Sequence, residues 1–141
     1  MKIGIVSGYF NPLHLGHLKN ISEAKKMCDY LVCIVNNDNQ QLLKKGKIIM
    51  SEVERFEIIK AIRYVDEAIL SIDSDPSVIE TLKLIHNKYP SDTLIFCKGG
   101  DRQSLEDIPE ANIGIPIKFE FGVGGFDKTN SSSNINSLSG K

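Results

Sequence analysis

Short apolar segments alternate along this chain with segments whose apolar residues recur at helical spacing. Residues 30–35 form a run rich in β-branched side chains, and the apolar residues of 15–28 fall on one helical face. Parallel strands buried on both faces have such continuous apolar sequences, and helices usually connect them. We therefore predict an α/β fold, a Rossmann-like, doubly wound sheet of five parallel strands with helices on both faces. The predicted strands are 3–6, 30–35, 68–71, 93–97 and 115–121.

Capping residues predict where two further helices begin. Ser51 followed three residues later by Glu54 has the spacing of a capping box, with Ser51 at the N-cap. Asp75 followed by Pro76 is typical of an N-cap and a first helical residue. Residues 40–47 are polar and basic, and we predict a loop there. The residues predicted to face the core from the Ser51 helix are Val53, Phe56, Ile59 and Ile62.

Length and charge limit the classes of function. The 141 residues fit a single domain over 1–141, in which 130–141 would be a short C-terminal helix or tail. The formal charge of −1, from 17 basic and 18 acidic residues, argues against a broad nucleic-acid or membrane surface. No apolar stretch approaches the roughly 20 residues of a membrane span. We expect a cytoplasmic protein that binds neither nucleic acid nor membrane.

The unusual residues fall directly after predicted strands. In open parallel sheets, ligands bind at the carboxyl ends of the strands, where the strand order reverses. Four such loops, 7–17, 36–47, 98–102 and 122–133, hold most of the histidine, lysine, glycine and serine residues that could bind a ligand. The sequence therefore predicts a ligand site built from these loops.

Two histidines, His14 and His17, lie where the first strand gives way to a helix. Residues three apart share a helical face, and Gly16 between them allows a ligand to approach the backbone. A helix start also offers unbonded N–H groups and the positive end of the helix dipole to an anion. Neutral or protonated imidazoles at this place could donate hydrogen bonds to phosphate oxygens, which suits phosphoryl or nucleotidyl transfer. We assign no metal ligands, because no acidic or third histidine partner has convincing spacing.

The stretch G-Y-F-N-P-L-H-L-G-H, residues 8–17, resembles the signature of the H-x-G-H nucleotidyltransferase superfamily, which includes cytidylyltransferases and adenylyltransferases. Residues 62–67 resemble a segment of glycerol-3-phosphate cytidylyltransferases. Residues 98–101 resemble the heptose-phosphate adenylyltransferase domain. Ser131, Ser132 and Ser133 stand where the superfamily has a Ser-Thr-Thr or Ser-Ser-Thr motif. The likeness thus runs in order along nearly the whole chain.

The resemblance implies an enzyme in which a substrate phosphate attacks the α-phosphorus of a nucleoside triphosphate and pyrophosphate leaves, with Mg²⁺ as cofactor. It implies catalytic roles for His14, His17, Lys44 and Arg55. Substrate-binding roles would fall to Asp38, Arg102 and Lys128. The implied nucleotide-binding residues are Gly8, Tyr9, Phe10, Asn11, Gly16, Lys45, Lys98, Gly99, Gly100, Asp101, Ser131, Ser132 and Ser133.

The chain departs from the superfamily pattern near the serines. The arginine that often precedes or follows that motif is missing, so the triphosphate charge would fall on other basic residues, among them Lys44, Lys45 and Lys47. We favour CTP with a small phosphorylated polyol or sugar-type acceptor. The alternatives are ATP with a sugar phosphate, supported by residues 98–101 and by Asn11–Pro12, and a catalytically idle nucleotide-binding module. Relatives of this size are commonly dimers, so a homodimer is expected.

Overall fold

The computed structural model describes residues 1–11, 13–48, 50–99 and 109–123, without the side chains of Lys45, Ala111 and Asn112. Five parallel strands form one sheet in the order β3-β2-β1-β4-β5. The predicted α/β fold with a five-stranded parallel sheet is confirmed. The strands are β1 (Lys2–Gly8), β2 (Tyr30–Val35), β3 (Glu67–Leu70), β4 (Thr93–Cys97) and β5 (Ile117–Glu120). The helices are α1 (Leu15–Lys26), α2 (Asp38–Lys45), α3 (Glu52–Lys60) and α4 (Ile79–Lys88).

The sheet has a core on each face because neighbouring strand residues point to opposite sides. Val6 packs on one face against buried side chains of α1 and α3, such as Ile21 and Ile59. Ile5 packs on the other face against α4, where Leu82 is fully buried. Burying an aliphatic side chain of this size stabilises a fold by roughly 1.5–3 kcal/mol. The helices on both faces therefore hold the sheet, as the doubly wound prediction requires.

Strand order reverses beside β1, because β2 lies on one side of it and β4 on the other. The register pairs Gly8 at the end of β1 with Val35 at the end of β2, and Ile5 with Phe96 of β4. The carboxyl ends of these three strands thus meet at one edge, which we call the carboxyl edge. This is where a parallel sheet binds ligands.

The prediction of a loop over residues 40–47 is wrong, because most of this segment is helix α2. Asn37 caps the helix by accepting a hydrogen bond from the Gln40 backbone N–H, and the Gln40 side chain bonds back to the Asn37 N–H. Gly46 ends it with φ of 69°, a left-handed conformation that glycine adopts without steric cost. Strong caps at both ends thus stabilise a short polar helix.

Helix α4 begins later than Asp75–Pro76 predicts. Asp75 accepts hydrogen bonds from the backbone N–H and hydroxyl of Ser77, which forms a turn before the helix. Asp73 instead accepts from the N–H groups of Glu80 and Thr81 in the first turn of α4. A carboxylate five residues before the N-cap position, Val78, therefore satisfies the helix start.

Helix α3 begins after Ser51, as predicted, and the Ser51 hydroxyl accepts from the Glu54 N–H. Its inward face differs from the prediction, because Val53 is exposed whereas Arg55 and Ile59 are buried. A charged side chain thus occupies part of the core-facing surface. Among the described residues, no helix is long and apolar enough to cross a bilayer.

Candidate functional site

His14 and His17 cap the start of α1 reciprocally. The Gly16 backbone N–H donates to Nδ1 of His14 over 3.0 Å, and the His14 N–H donates to Nδ1 of His17 over 3.1 Å. The two rings stack with centroids 3.9 Å apart. The arrangement resembles a capping box in which imidazoles replace the usual serine and glutamate.

These contacts fix the protonation of both rings. A backbone N–H can donate only to a ring nitrogen that carries no proton, so Nδ1 is bare in each histidine. In a neutral imidazole the proton then lies on Nε2. Each histidine therefore holds an Nε2–H donor on the side of the ring away from the helix backbone.

Both histidines are also held in the neutral form. Burial, together with a smaller effect of the neighbouring His14, lowers the pKa of His17 to about 3. Burial likewise lowers the pKa of His14 below its ordinary value. The pair can therefore offer neutral hydrogen-bond donors to a phosphate at physiological pH. Of the two forms that the sequence left open, neutral and protonated, the structure favours the neutral one.

The expectation of unbonded N–H groups at this helix start is wrong for three of them. The N–H groups of His14 and Gly16 are engaged by the imidazoles, and that of His17 donates to the His14 carbonyl. Any anion bound here would thus meet imidazole donors before these three backbone groups.

Phe10 connects the end of β1 to the histidines. Its φ of 51° is left-handed, a conformation uncommon outside glycine. The turn folds the Phe10 ring back against Gly8, where an added Cβ would lie 2.8 Å from the ring carbon Cζ. The same ring meets His17 edge-on with centroids 5.0 Å apart. Gly8 is therefore required for Phe10 to reach His17.

Arg55 stabilises this turn through hydrogen bonds to backbone carbonyls. Its Nη1 donates to the carbonyls of Tyr9 and Asn36, each over 2.6 Å, and Nε donates to the Met50 carbonyl over 2.9 Å. Nη2 forms an ion pair with Asp38 over 2.7 Å, and the Arg55 side chain is 0% exposed. Its contacts give Arg55 a positioning role at the ends of β1 and β2, while a direct catalytic role stays a prediction.

Asn11 and Asp38 also contact protein groups. The Asn11 side-chain oxygen accepts from the Met50 N–H over 2.8 Å, and the Asp38 carboxylate pairs with Arg55. Asn11 thus ties the loop after β1 to the segment before α3, and Asp38 ties α2 to α3. Their predicted ligand contacts are not tested by this geometry.

Lys44 and Lys98 approach the carboxyl edge from two elements. Nζ of Lys44, on α2, lies 5.5 Å from the centre of the Tyr9 ring. Lys98 directly follows β4, and its Nζ lies 4.6 Å from the centre of the Phe96 ring. Gly99 packs closely, since an added Cβ would lie 2.8 Å from the Asn20 side chain and the Val123 carbonyl. The structure thus brings both predicted lysines to the predicted edge.

A cavity of about 540 Å³ opens at the carboxyl edge, on the side of the sheet that carries α4. It includes Ser7, Gly8 and Tyr9 from the end of β1 together with Lys44 and Lys98. The rest of its wall includes Asn36, from the predicted loop 36–47. The other residues were not predicted from the sequence, although the rule that pointed to the other strand ends also applies to the loop after β3. They are Asp75, Pro76, Ser77, Val78, Ile79, Pro109 and Glu110.

Several predicted site residues lie outside the described residues: Gly100, Asp101, Arg102, Lys128, Ser131, Ser132 and Ser133. Lys45 lies in α2 without a described side chain. Among the described residues, no three His, Cys, Asp or Glu side chains are grouped so as to hold a metal ion. The serine motif and the Mg²⁺ cofactor stay predictions.

Comparisons with known proteins identify relatives of this chain. Glycerol-3-phosphate cytidylyltransferase of Bacillus subtilis is 44% identical over 69 residues, which are 49% of this chain and 54% of that protein. FAD synthase of Ferroglobus placidus is 41% identical over 75 residues, which are 53% of this chain and 49% of that protein. The matches thus span about half the length of these two curated relatives.

A solved structure matches over a longer stretch. The lipopolysaccharide core biosynthesis protein of Thermoplasma volcanium superposes with a TM-score of 0.69 at 28% identity, covering 90% of this chain and 99% of that one. The cytidylyltransferase-like family matches residues 5–118, which include the second half of β1, the histidine pair and helices α1 to α4. This chain therefore belongs to the cytidylyltransferase-like family.

Proposed function

We propose that this protein is a nucleotidyltransferase that transfers CMP from CTP to a small phosphorylated polyol or sugar-type acceptor. A phosphate oxygen of the acceptor attacks the α-phosphorus of the nucleotide. A new P–O bond forms as the bond from the α-phosphorus to the bridging oxygen breaks, and pyrophosphate leaves with the electron pair. No protein nucleophile takes part.

The observation that carries the proposal is the donor geometry of the histidine pair. Both Nδ1 atoms accept backbone hydrogen bonds, so both rings hold Nε2–H donors at the start of α1. Donors fixed in advance stabilise charge that develops during transfer without the cost of reorienting at that moment. His14 and His17 would donate to oxygens of the reacting phosphates. Their neutrality keeps the proton on the imidazole throughout the transfer.

The lysines would meet the remaining charge. Lys44 and Lys98 line the cavity that adjoins the end of β1, and Lys45 lies next to Lys44 on α2. We expect Lys44 and Lys45 to contact the triphosphate. Mg²⁺, when bound, would neutralise the pyrophosphate, and it usually joins such sites through substrate phosphates. The described residues supply no protein ligand set for it.

The choice of CTP rests on the likeness of residues 62–67 and on the cytidylyltransferase relative. In the structure Asp66 accepts from the Leu31 N–H and pairs with Lys25, and Glu67 pairs with Lys88. These contacts lie at the amino end of β3. The segment therefore supports a relationship to cytidylyltransferases, and it gives no evidence of a contact with the nucleotide base. ATP with a sugar phosphate remains the second candidate, because another relative is named for making FAD, which contains an adenylyl group.

Pyrophosphate release tests the proposal. The full chain is incubated with Mg²⁺, each of the four nucleoside triphosphates, and a panel of phosphorylated acceptors. We expect release with CTP and a hydroxylated acceptor phosphate. Release with ATP alone would replace CTP by the second candidate. Tight nucleotide binding by thermal shift without release on any acceptor would identify an idle nucleotide-binding module and overturn the proposal.

The proposal includes two further expectations. We expect a homodimer, which light scattering after size-exclusion chromatography would detect as twice the chain mass. We also expect a cytoplasmic location, which fractionation of the source cells would test.

A further inference from the structure

The cavity at the carboxyl edge differs in chemistry between its two sides. The side near α2 and β4 carries Lys44 and Lys98, which suit phosphate groups. The far side is formed by the loop before α4 and the short 3-10 helix Pro109–Asn112. That far side holds hydroxyl and carboxylate groups. The question is which part of a substrate it would contact.

Glu110 is the unusual group on the far side. It is 4% exposed, and its Oε2 accepts from the Val78 N–H over 2.9 Å. In the part of the chain that the structure describes, this carboxylate has no ion-pair partner within 4.0 Å. A buried carboxylate without a cation needs further hydrogen bonds to offset its lost hydration. A ligand in the cavity could supply them.

Tyr9 provides an unsatisfied hydrogen-bonding group on the same cavity. Its hydroxyl oxygen is buried and has no hydrogen-bond partner among the described residues. Burial raises the pKa of Tyr9, and the nearby Glu110 carboxylate raises it further. The hydroxyl therefore stays protonated and can donate. A hydroxyl without a hydrogen-bond partner and a buried carboxylate without an ion-pair partner among the described residues, both lining one cavity, are the pattern expected of a site that binds a polar ligand group.

The surroundings favour a hydroxyl group over a quaternary ammonium group. Recognition of a quaternary ammonium relies on aromatic faces, but the only aromatic residue lining this cavity among the described residues is Tyr9. The Lys44 ammonium already lies over the Tyr9 ring. A second cation would also be repelled by the two cavity lysines. A hydroxyl can both donate to Glu110 and accept from Tyr9.

We propose that Tyr9 and Glu110 recognise the hydroxyl groups of the acceptor's carbon chain, so that the acceptor is a neutral hydroxylated phosphate ester. This inference rests on the proposed nucleotidyl transfer. It names the class of acceptor and two residues that select it. The acceptor phosphate would point toward the lysines and histidines, while its hydroxylated chain fills the far side of the cavity.

The test compares acceptors that differ in their carbon chains at a fixed, saturating nucleotide concentration. The hydroxylated probes are glycerol 3-phosphate, ribitol 5-phosphate and a hexose 1-phosphate. Propyl phosphate lacks hydroxyls, and phosphoethanolamine carries an ammonium. Initial rates of pyrophosphate release give kcat/KM for each. The wild-type protein should prefer at least one hydroxylated probe over propyl phosphate by about tenfold or more.

Two conservative variants assign the preference to its residues. Glu110→Gln keeps a side-chain oxygen for the Val78 N–H but removes the charge, and Tyr9→Phe removes only the hydroxyl. Each should reduce kcat/KM for the hydroxylated probe by about tenfold and leave propyl phosphate unchanged. The melting temperature of both variants and the nucleotide KM of Glu110→Gln should stay close to wild type. Glu57→Gln, at an exposed position of α3, is the matched control and should leave the preference intact.

The outcomes separate the two proposals. Equal turnover of propyl phosphate and all hydroxylated probes, preference for phosphoethanolamine, or an unchanged preference in both variants would overturn this inference while nucleotidyl transfer stands. Absence of pyrophosphate release with every probe and every nucleotide would instead overturn the proposed function on which the inference rests.

Discussion

The histidine pair and Arg55 both lie near the end of β1, yet they direct their N–H donors in opposite ways. His14 and His17 accept backbone hydrogen bonds at Nδ1, which places the proton of each neutral ring on Nε2. Arg55 donates hydrogen bonds to the carbonyls of Tyr9, Asn36 and Met50 and to the Asp38 carboxylate. Similar donor groups therefore serve different ends, phosphate binding in one case and loop placement in the other. The difference predicts that changes at the histidines affect turnover first, and changes at Arg55 affect folding first.

The largest effect is expected from Arg55→Ala. Removing this fully buried side chain leaves three backbone carbonyls and the Asp38 carboxylate, which is 27% exposed, without their donor, and a loss of about 3 kcal/mol is expected. Urea unfolding should show a loss of that order, and Arg63→Ala, at an exposed position, should cost far less. An Arg55→Ala protein as stable as wild type would contradict the positioning role that these contacts give Arg55.

His17→Ala should mainly affect turnover. Loss of one transition-state donor lowers kcat by about 10²-fold or more. Since His17 also accepts the His14 N–H, a cap loss of about 1 kcal/mol in the free energy of unfolding is expected as well. Steady-state pyrophosphate release measures kcat, with His86→Ala on α4 as the control. Turnover within a few-fold of wild type would remove His17 from the chemistry.

The neutral state of His17 predicts a pH dependence of stability. The native pKa of about 3 lies below the ordinary 6.5, so the unfolded chain binds more protons between these values. Stability therefore falls as pH falls through this window, by about 1.4 kcal/mol per pH unit well below 6.5. The difference in unfolding free energy between wild type and His17→Gln, measured from pH 6.5 to 5, isolates this contribution. A difference that does not change with pH would contradict the buried neutral ring.

Lys44→Ala should give the smallest change. The Lys44 ammonium lies over the Tyr9 ring. If it contacts a phosphate of the nucleotide as proposed, its loss should raise the nucleotide KM by about tenfold. The melting temperature should hardly move. Lys60→Ala, at an exposed position of α3, is the control. Unchanged nucleotide KM in both Lys44→Ala and Lys45→Ala would exclude this helix from nucleotide binding.

Much of the sheet could be predicted from the sequence, because buried parallel strands need continuous apolar runs and β1, β2 and β4 have them. Helix α2 was missed because its residues are mostly polar and its stability comes from Asn37, Gln40 and Gly46 at its ends. The start of α4 was misplaced because Asp73 reaches it across a turn. The pattern of apolar residues thus identified elements with an apolar face. It failed where capping residues alone determine whether a helix forms or where it begins.

The candidate site divides in the same way. The histidine pair could be found because its function depends on spacing within one helix start. The direction of Arg55 could not, since it depends on carbonyls from three separate segments. Glu110 was missed for the same reason, because its burial against Val78 arises only once distant elements pack. Residues defined by tertiary contacts carry little signal in a single sequence.

The most direct test of the central claim is the protonation state of the two histidines in the folded protein. Nitrogen-15 correlation spectra of the imidazoles distinguish the Nε2–H from the Nδ1–H form and follow titration. We predict that both rings are neutral with the proton on Nε2, and that His17 shows no titration between pH 5 and 8. A proton on Nδ1 of His17, or a midpoint near 6.5 for that ring, would contradict the proposed role of the pair as fixed neutral donors.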